Sequence, residues 1–415
     1  MLNHTFHVQI GDKRYSPEFQ TKEIWQNLLK RAYNVSLVSC CCPSRGDRLL
    51  SVKHRAGKYH LARFPGTGAS HANECRFYAP APESSGMQCY AKGVIEEGDD
   101  AQLRIRLARG FQILPAREEA VIQPEAAPVP GVRKPAMTLL GLLHLLWQEA
   151  RLNVWYPAME GKRNLFVVAR ALSKAAARIN AGRVSIDDVL LVPARKESPA
   201  AKTNEETSAQ ALARGHRLLV VTPLARFDQD KHAGEAGIER LPLSWPFGMP
   251  GIYLQDGQWG RLHQQFRKEI SAWMRGGQVI VIAQVEIQPG KHRPYGKAID
   301  IALMAVSDQW IPFDSSYEAL IESKLRDEGR AFEKPLRFEA EDDYVFPDFW
   351  LLDTGDTCPM EVFGMATPEY VARKQIKVQH YNREYGVDGW WSWNAYHDTK
   401  ALQIPQFPAR RSNRK

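Results

Sequence analysis

Two apolar runs, Phe349-Trp350-Leu351-Leu352 and Met360 to Phe363, flank the dipeptide Thr354-Gly355. Apolar runs on either side of such a turn predict a β-hairpin. With a two-residue loop Asp353 pairs with Asp356, and counting outward sets Asp348 directly opposite Glu361. Any even-numbered loop centred there keeps that register, and an odd one breaks it. Directly opposed side chains share a face with Cβ atoms ~4.5–5.5 Å apart, where like charges are destabilising. Two carboxylates flanked by Phe346, Trp350 and Phe363 therefore ask for a cation. Oxygen ligands at that spacing suit magnesium or manganese.

The hairpin lies in the most orderly part of the chain. From about 315 to 394 the pattern predicts helix, three strands, helix and a final strand. Thr367, Pro368 and Gly386 are the expected cap, first position and stop of the second helix. On it Lys374 and Lys377 lie three apart, sharing a face with Tyr370 and Tyr381. Ser315-Ser316-Tyr317-Glu318 fits a capping box at the start of the first helix, a structural role for Glu318.

Pro347-Asp348, a hairpin turn and Glu361-Val362-Phe363 together resemble the signature of the PD-(D/E)XK, or restriction-endonuclease-like, phosphodiesterase superfamily. The order helix, three strands, helix, strand is similar to that superfamily's core over about 80 residues. The resemblance implies that Asp348 and Glu361 bind Mg2+ or Mn2+, with Val362 adding its backbone carbonyl. It also makes Glu318 an additional catalytic acid. The third signature residue is Lys in that family and Phe363 here, and some members recruit the lysine from the following helix. Lys374 and Lys377 are the candidates, Lys374 favoured because it sits nearer the helix start. The whole chain is also similar to proteins encoded on bacterial conjugative plasmids and integrative elements, which implies other mobile-element proteins as partners.

The second chemical feature is at the other end. Of six cysteines, Cys40, Cys41, Cys42, Cys75 and Cys89 precede residue 90. In a chain with no visible secretory signal such density reads as metal binding before disulfides. Cys40 and Cys42 end an apolar stretch, and His71 and Cys75 are four apart, the spacing of one face of a helical turn. Cys40, Cys42, His71 and Cys75 would make a closed Cys3His site, which zinc favours, with Cys41 or Cys89 as replacement ligands. A closed site holds a fold together and does no chemistry.

Fifty-five Lys and Arg against forty-seven Asp and Glu leave a net charge of +8 over 415 residues. The excess is compatible with a polyanionic partner, DNA first. Acids nevertheless concentrate between Asp314 and Glu361, while Arg410, Arg411, Arg414 and Lys415 end the chain. Basic surroundings around an acidic centre suit an enzyme that attracts nucleic acid and holds metal where the chemistry occurs. The longest apolar run, Thr138 to Trp147, is about half of a bilayer span, so no membrane partner is expected. No basic-then-apolar leader follows Met1, which makes the cytoplasm the expected location. Gly66-Thr67-Gly68 lacks the Lys-Ser/Thr ending of a phosphate loop, excluding a P-loop ATPase.

The expected architecture is a multidomain α/β protein. Residues 1–125 form a small β-rich zinc-binding domain, and the Pro/Ala-rich stretch 123–131 is a linker. Residues 132–215 form a helical, winged-helix-like middle in which the polar stretch Glu197 to Ser208 is an exposed loop. Residues 216–312 are a mixed β segment, 313–400 the restriction-endonuclease-like α-β-β-β-α-β core, and 401–415 a basic tail. The expected function is a divalent-metal-dependent DNA endonuclease or related phosphodiesterase. The alternative, kept open by Phe363, is a catalytically inactive nuclease-fold protein that binds nucleic acid.

Overall fold

The computed structural model describes residues 6–33, 35–44, 46, 48–55, 58–64, 67–72, 75–78, 94–97, 102–113, 136–232, 238–336, 346–355, 357–398 and 400–411. They form a mixed α/β structure of four sheets. The expected linker at 123–131, Cys89, Gly66 and Asp356 lie outside the described residues.

The first sheet is antiparallel, in the spatial order Lys13–Tyr15, Val8–Ile10, Val38–Cys40, Leu49–Arg55, Lys58–Arg63. A helix, Ile24–Ala32, covers it with Trp25, Leu29 and Ala32. The β-rich N-terminus thus also carries a helix, which sequence reasoning does not name. Its signal is the apolar spacing Trp25, Leu28, Leu29, Ala32, which is helical and amphipathic.

The next two sheets run across the expected boundaries. Leu103–Ile105 pairs with Ile95–Glu97 and, in parallel, with Ile179–Ala181. Leu190–Leu191 adds in parallel to Leu218–Pro223, which joins the long hairpin Gln278–Gln288 and Tyr295–Val306. One continuous apolar core therefore joins residues from Val94 to Leu336, with the helix Leu139–Glu149 buried in it. The stretch expected as a loop at Glu197 to Ser208 belongs to a helix, Pro199–Arg214. Ser198 caps it by accepting the Ala201 N–H, Pro199 takes the first position, and Gly215 ends it at φ 62°. Its inward residues are Ala201, Asn204 and Ala211, too small and polar to register as an apolar stripe. Asn204 is satisfied in the core by Val192 and Phe247 backbone oxygens at 2.9 and 3.0 Å.

The last sheet carries the hairpin. Its order is Trp391–Trp393, Cys358–Val362, Phe349–Leu351, Phe332–Glu333, Val154–Trp155. The helix Ser316–Asp327 precedes its first C-terminal strand, and Pro368–Tyr385 crosses between the parallel pair Cys358–Val362 and Trp391–Trp393. The first of the three expected strands is Phe332–Glu333 among the described residues; residues 337–345 lie outside them. The fifth strand comes from the middle of the chain, about 180 residues away in sequence. The tail also returns to this sheet. Phe407 packs on Trp391 with centroids 5.3 Å apart, and Arg330 holds both the Asp353 carboxylate and the Pro408 carbonyl.

Candidate functional site

The hairpin has the register that its turn implies. Phe349 lies opposite Met360 and Leu351 opposite Cys358, so the next pair outward is Asp348 and Glu361. Gly355 adopts φ 93°, a conformation few other residues tolerate in the turn. The Asp348 N–H donates to the Met360 carbonyl at 2.9 Å, and Asp348 Oδ2 accepts the Val362 N–H at 2.7 Å. Val362 thus fixes the Asp348 carboxylate through its amide. Burial first, then the Glu361 charge, pushes the Asp348 carboxyl up to about 6, against the opposing pull of Lys334 and Lys377.

Glu361 is 2 % exposed and fully engaged. Lys377 Nζ lies 2.9 Å from both of its oxygens and donates to the Phe346 carbonyl at 3.0 Å. Tyr381, one turn further along the same helix, donates its hydroxyl to Glu361 Oε1 at 2.8 Å. Burial, with the Glu361 charge beside it, raises the Tyr381 pKa and keeps it a donor. Lys374, favoured from position, does not reach the carboxylates in this arrangement. Its ammonium lies 4.6 Å above the Phe363 ring and donates to Asn394 Oδ1. The helix turns Lys377 inward and leaves Lys374 on the Phe363 ring.

Glu318 is both a cap and a neighbour of this site. Its N–H donates to Ser315 Oγ at 3.2 Å, and its Oε1 accepts from that hydroxyl at 3.1 Å. Its Oε2 accepts the Asp314 N–H at 3.1 Å and pairs with Lys334 Nζ at 2.9 Å. Burial raises the Glu318 pKa, an effect the nearby Asp348 and Asp314 charges reinforce and Lys334 opposes. Burial pulls Lys334 down, but Glu318, Asp314 and Asp348 outweigh it, and the group stays an ammonium. Asp348, Glu361, Glu318, Lys334, Lys374 and Lys377 all line one cleft of about 870 Å3.

The N-terminal ligand set is of another kind. Cys40, Cys42, His71 and Cys75 are all buried, with one ligand atom of each within 4.8 Å of the others. Cys40 Sγ and Cys75 Sγ are 3.5 Å apart, and His71 Nδ1 lies 3.6 Å from Cys42 Sγ and 3.7 Å from Cys75 Sγ. Zinc bonds of ~2.3 Å to sulfur and ~2.0–2.1 Å to nitrogen, set tetrahedrally, imply ligand separations of about 3.5–3.8 Å. The cluster could hold a metal such as zinc. Hydrogen bonding among the thiols, led by the Cys40–Cys42 contact, pulls Cys42 down and pushes Cys40 up to about 11, so charge on one sulfur opposes charge on the next. His71 follows a short 3-10 turn, Gly68–Ser70, and Cys75 N–H donates to Ala72 O, so the two ligands converge through turns and not through an α-helical face. Cys41 is partly exposed and outside the set.

The sequence profile of a family described as "Protein of unknown function (DUF1173)" matches residues 10–395, which takes in both sites. The chain belongs to the DUF1173 family. No curated protein and no solved structure matches it. Among the described residues of this DUF1173 chain, no helix is long and apolar enough to cross a membrane. Sequence reasoning gives no site role to two residues that the fold brings in. Tyr381 shares the helix face of Lys377, and that spacing is its signal. Lys334 follows a two-residue strand and precedes Pro335, and only its burial, 4 % exposed, marks it out.

Proposed function

We propose that the DUF1173 chain is a divalent-metal-dependent phosphodiesterase acting on DNA, with its active site at the carboxylate hairpin. The observation that carries this reading is the meeting of Asp348, Glu361 and Lys377 at the wall of one large cleft. The order helix, three strands, helix, strand around them supports the likeness to the PD-(D/E)XK core.

The donor set fits Mg2+ or Mn2+. Asp348 and Glu361 offer hard oxygens, and burial first, then the Glu361 charge, raises the Asp348 pKa, a cost of the charged form that a bound cation would offset. A bound divalent ion would supply charge against the phosphoryl oxygens and a lowered pKa for the attacking water. The remaining roles belong to the chain. The Val362 amide holds Asp348 in place, and Tyr381 holds Glu361. Lys377 is the migrated counterpart of the signature lysine, positioned to offset charge on the non-bridging oxygens of the transition state. To reach substrate it must loosen from at least one Glu361 oxygen. Glu318, tied to Lys334, sets the charge behind Asp348 as a positioning residue.

The second reading is a nucleic-acid-binding protein without chemistry. Phe363 in the lysine position, with Lys374 on its ring, favours it. Incubating labelled DNA with the full chain and Mg2+ or Mn2+ separates the two. The enzyme cleaves, and Asp348→Ala abolishes cleavage while the fold persists. Binding without cleavage in wild type and variant alike selects the second reading.

A further inference from the structure

We infer that the cleft takes a single strand of DNA with unpaired bases, and that the helix Arg267–Met274 supplies its phosphate-binding wall. The inference rests on the phosphodiesterase reading for the chemistry and deepens it by naming the substrate form.

Three observations converge on it. The first is the source of the positive charge. Arg267, Lys268 and Arg275 line the same cleft as Asp348 and Glu361, yet they come from the central part of the chain. All three are exposed, and among the described residues none forms an ion pair. Lys268 donates to the Asp314 carbonyl at 3.3 Å, which ties this helix to the segment carrying Glu318. Glu269 is the one acid of that helix, against Arg267 and Lys268 on it and Arg275 just beyond its end. A row of cations without carboxylate partners near the carboxylate centre suits phosphates on either side of a scissile bond.

The second observation is the apolar lining between the charged groups. Tyr317, Tyr370, Met365 and Ile376 face the cleft, and Met365 and Ile376 are 53 % and 54 % exposed. Apolar and aromatic groups beside a basic groove are the arrangement on which unpaired bases rest, whereas paired bases in a duplex present edges and phosphates. The third is size. About 870 Å3 falls in the upper part of the ~300–1,000 Å3 range of pockets that enclose a compact ligand. That is room for a few nucleotides of one strand.

The test is binding of the full chain, without divalent metal, to a labelled strand of ~12 nucleotides and to the same sequence as a blunt duplex, read by fluorescence anisotropy across a salt series. The strand should bind at least about tenfold more tightly. The triple variant Arg267→Gln, Lys268→Gln, Arg275→Gln should bind the strand roughly tenfold more weakly, and its salt slope should fall by about 2, at ~0.7 for each phosphate that the variant no longer neutralises. Duplex binding as tight as strand binding, or a triple variant with unchanged affinity and slope, overturns the inference. Adding Mg2+ to the same samples separates this from the phosphodiesterase reading. Strand preference without cleavage sinks that reading and leaves the inference standing, and cleavage of duplex in preference to strand does the reverse.

Discussion

The two ligand clusters of this chain differ in what surrounds them. At the N-terminus four ligands close on one point, all of them buried, and they bond to one another. At the hairpin two carboxylates meet at the wall of a cleft, and a lysine already holds one of them. Among the described residues only the Cys/His set gathers three or more ligand atoms within 4.8 Å. A closed set commits every ligand position to folding, whereas an open one with a movable cation leaves positions for water and substrate. On the proposed reading, one end serves stability and the other chemistry.

The largest expected effect tests the closed site. Structural zinc supplies about 10–16 kcal/mol of apparent folding free energy in small zinc domains. Cys42→Ser should therefore empty the site and unfold the N-terminal sheet, seen as lost zinc by elemental analysis and as new protease sensitivity before residue 80. Purified wild type with no stoichiometric zinc, and indifferent to chelator, would remove the structural half of the comparison.

Next in size is Lys377→Met. A buried carboxylate stripped of its partner costs about 3–5 kcal/mol, and Glu361 is such a group. Thermal unfolding of this variant should fall well below wild type without metal and recover with Mg2+, because the ion replaces the missing charge. Cleavage should drop by ~10²–10³-fold at saturating metal. Recovery with Mg2+ is the sharp part; a deficit that Mg2+ leaves untouched would mean the carboxylates do not hold the ion.

A smaller effect depends on pH. The native Asp348 carboxyl titrates at about 6 against an ordinary 3.8, so the folded state keeps its proton longer than the unfolded one. The stability held by the protonated form is fully present below about pH 4 and is lost as pH rises through about 6. In metal-free buffer Asp348→Asn should therefore gain on wild type between those values by denaturant titration, and Mg2+ should erase the gap. A pH-independent difference would contradict the raised Asp348 pKa that burial and the Glu361 charge together produce. The smallest effect belongs to Lys374→Ala. Its contact with Phe363 is a partly exposed cation–π pair worth ~0.5–1 kcal/mol, and cleavage should change by less than a few-fold. A fall as deep as that of Lys377→Met would exchange the roles of the two lysines.

What the sequence by itself determined is local. The parity of the turn at Thr354-Gly355 fixes Asp348 opposite Glu361, because strand side chains alternate with period two. The close Cys-x-Cys and His-x3-Cys spacings suffice to name the Cys/His set, since each pair need only be brought to the other. The helices Pro199–Arg214 and Ile24–Ala32 are legible in their caps or spacing, but polar composition and neighbouring strands outweigh those signals.

Tertiary structure decided what depends on distant chain. Lys374 and Lys377 share a helix face, and only the angle at which that helix docks on the sheet sends Lys377 to Glu361. Lys334 becomes a site residue because Phe332–Glu333 is sandwiched between the hairpin and Val154–Trp155, a pairing across about 180 residues that no local pattern encodes. The cationic helix Arg267–Met274 reaches the cleft by the same kind of non-local packing. Periodicity is written in neighbouring residues; the burial and field that turn a lysine into a partner for a carboxylate arise only where separate segments meet.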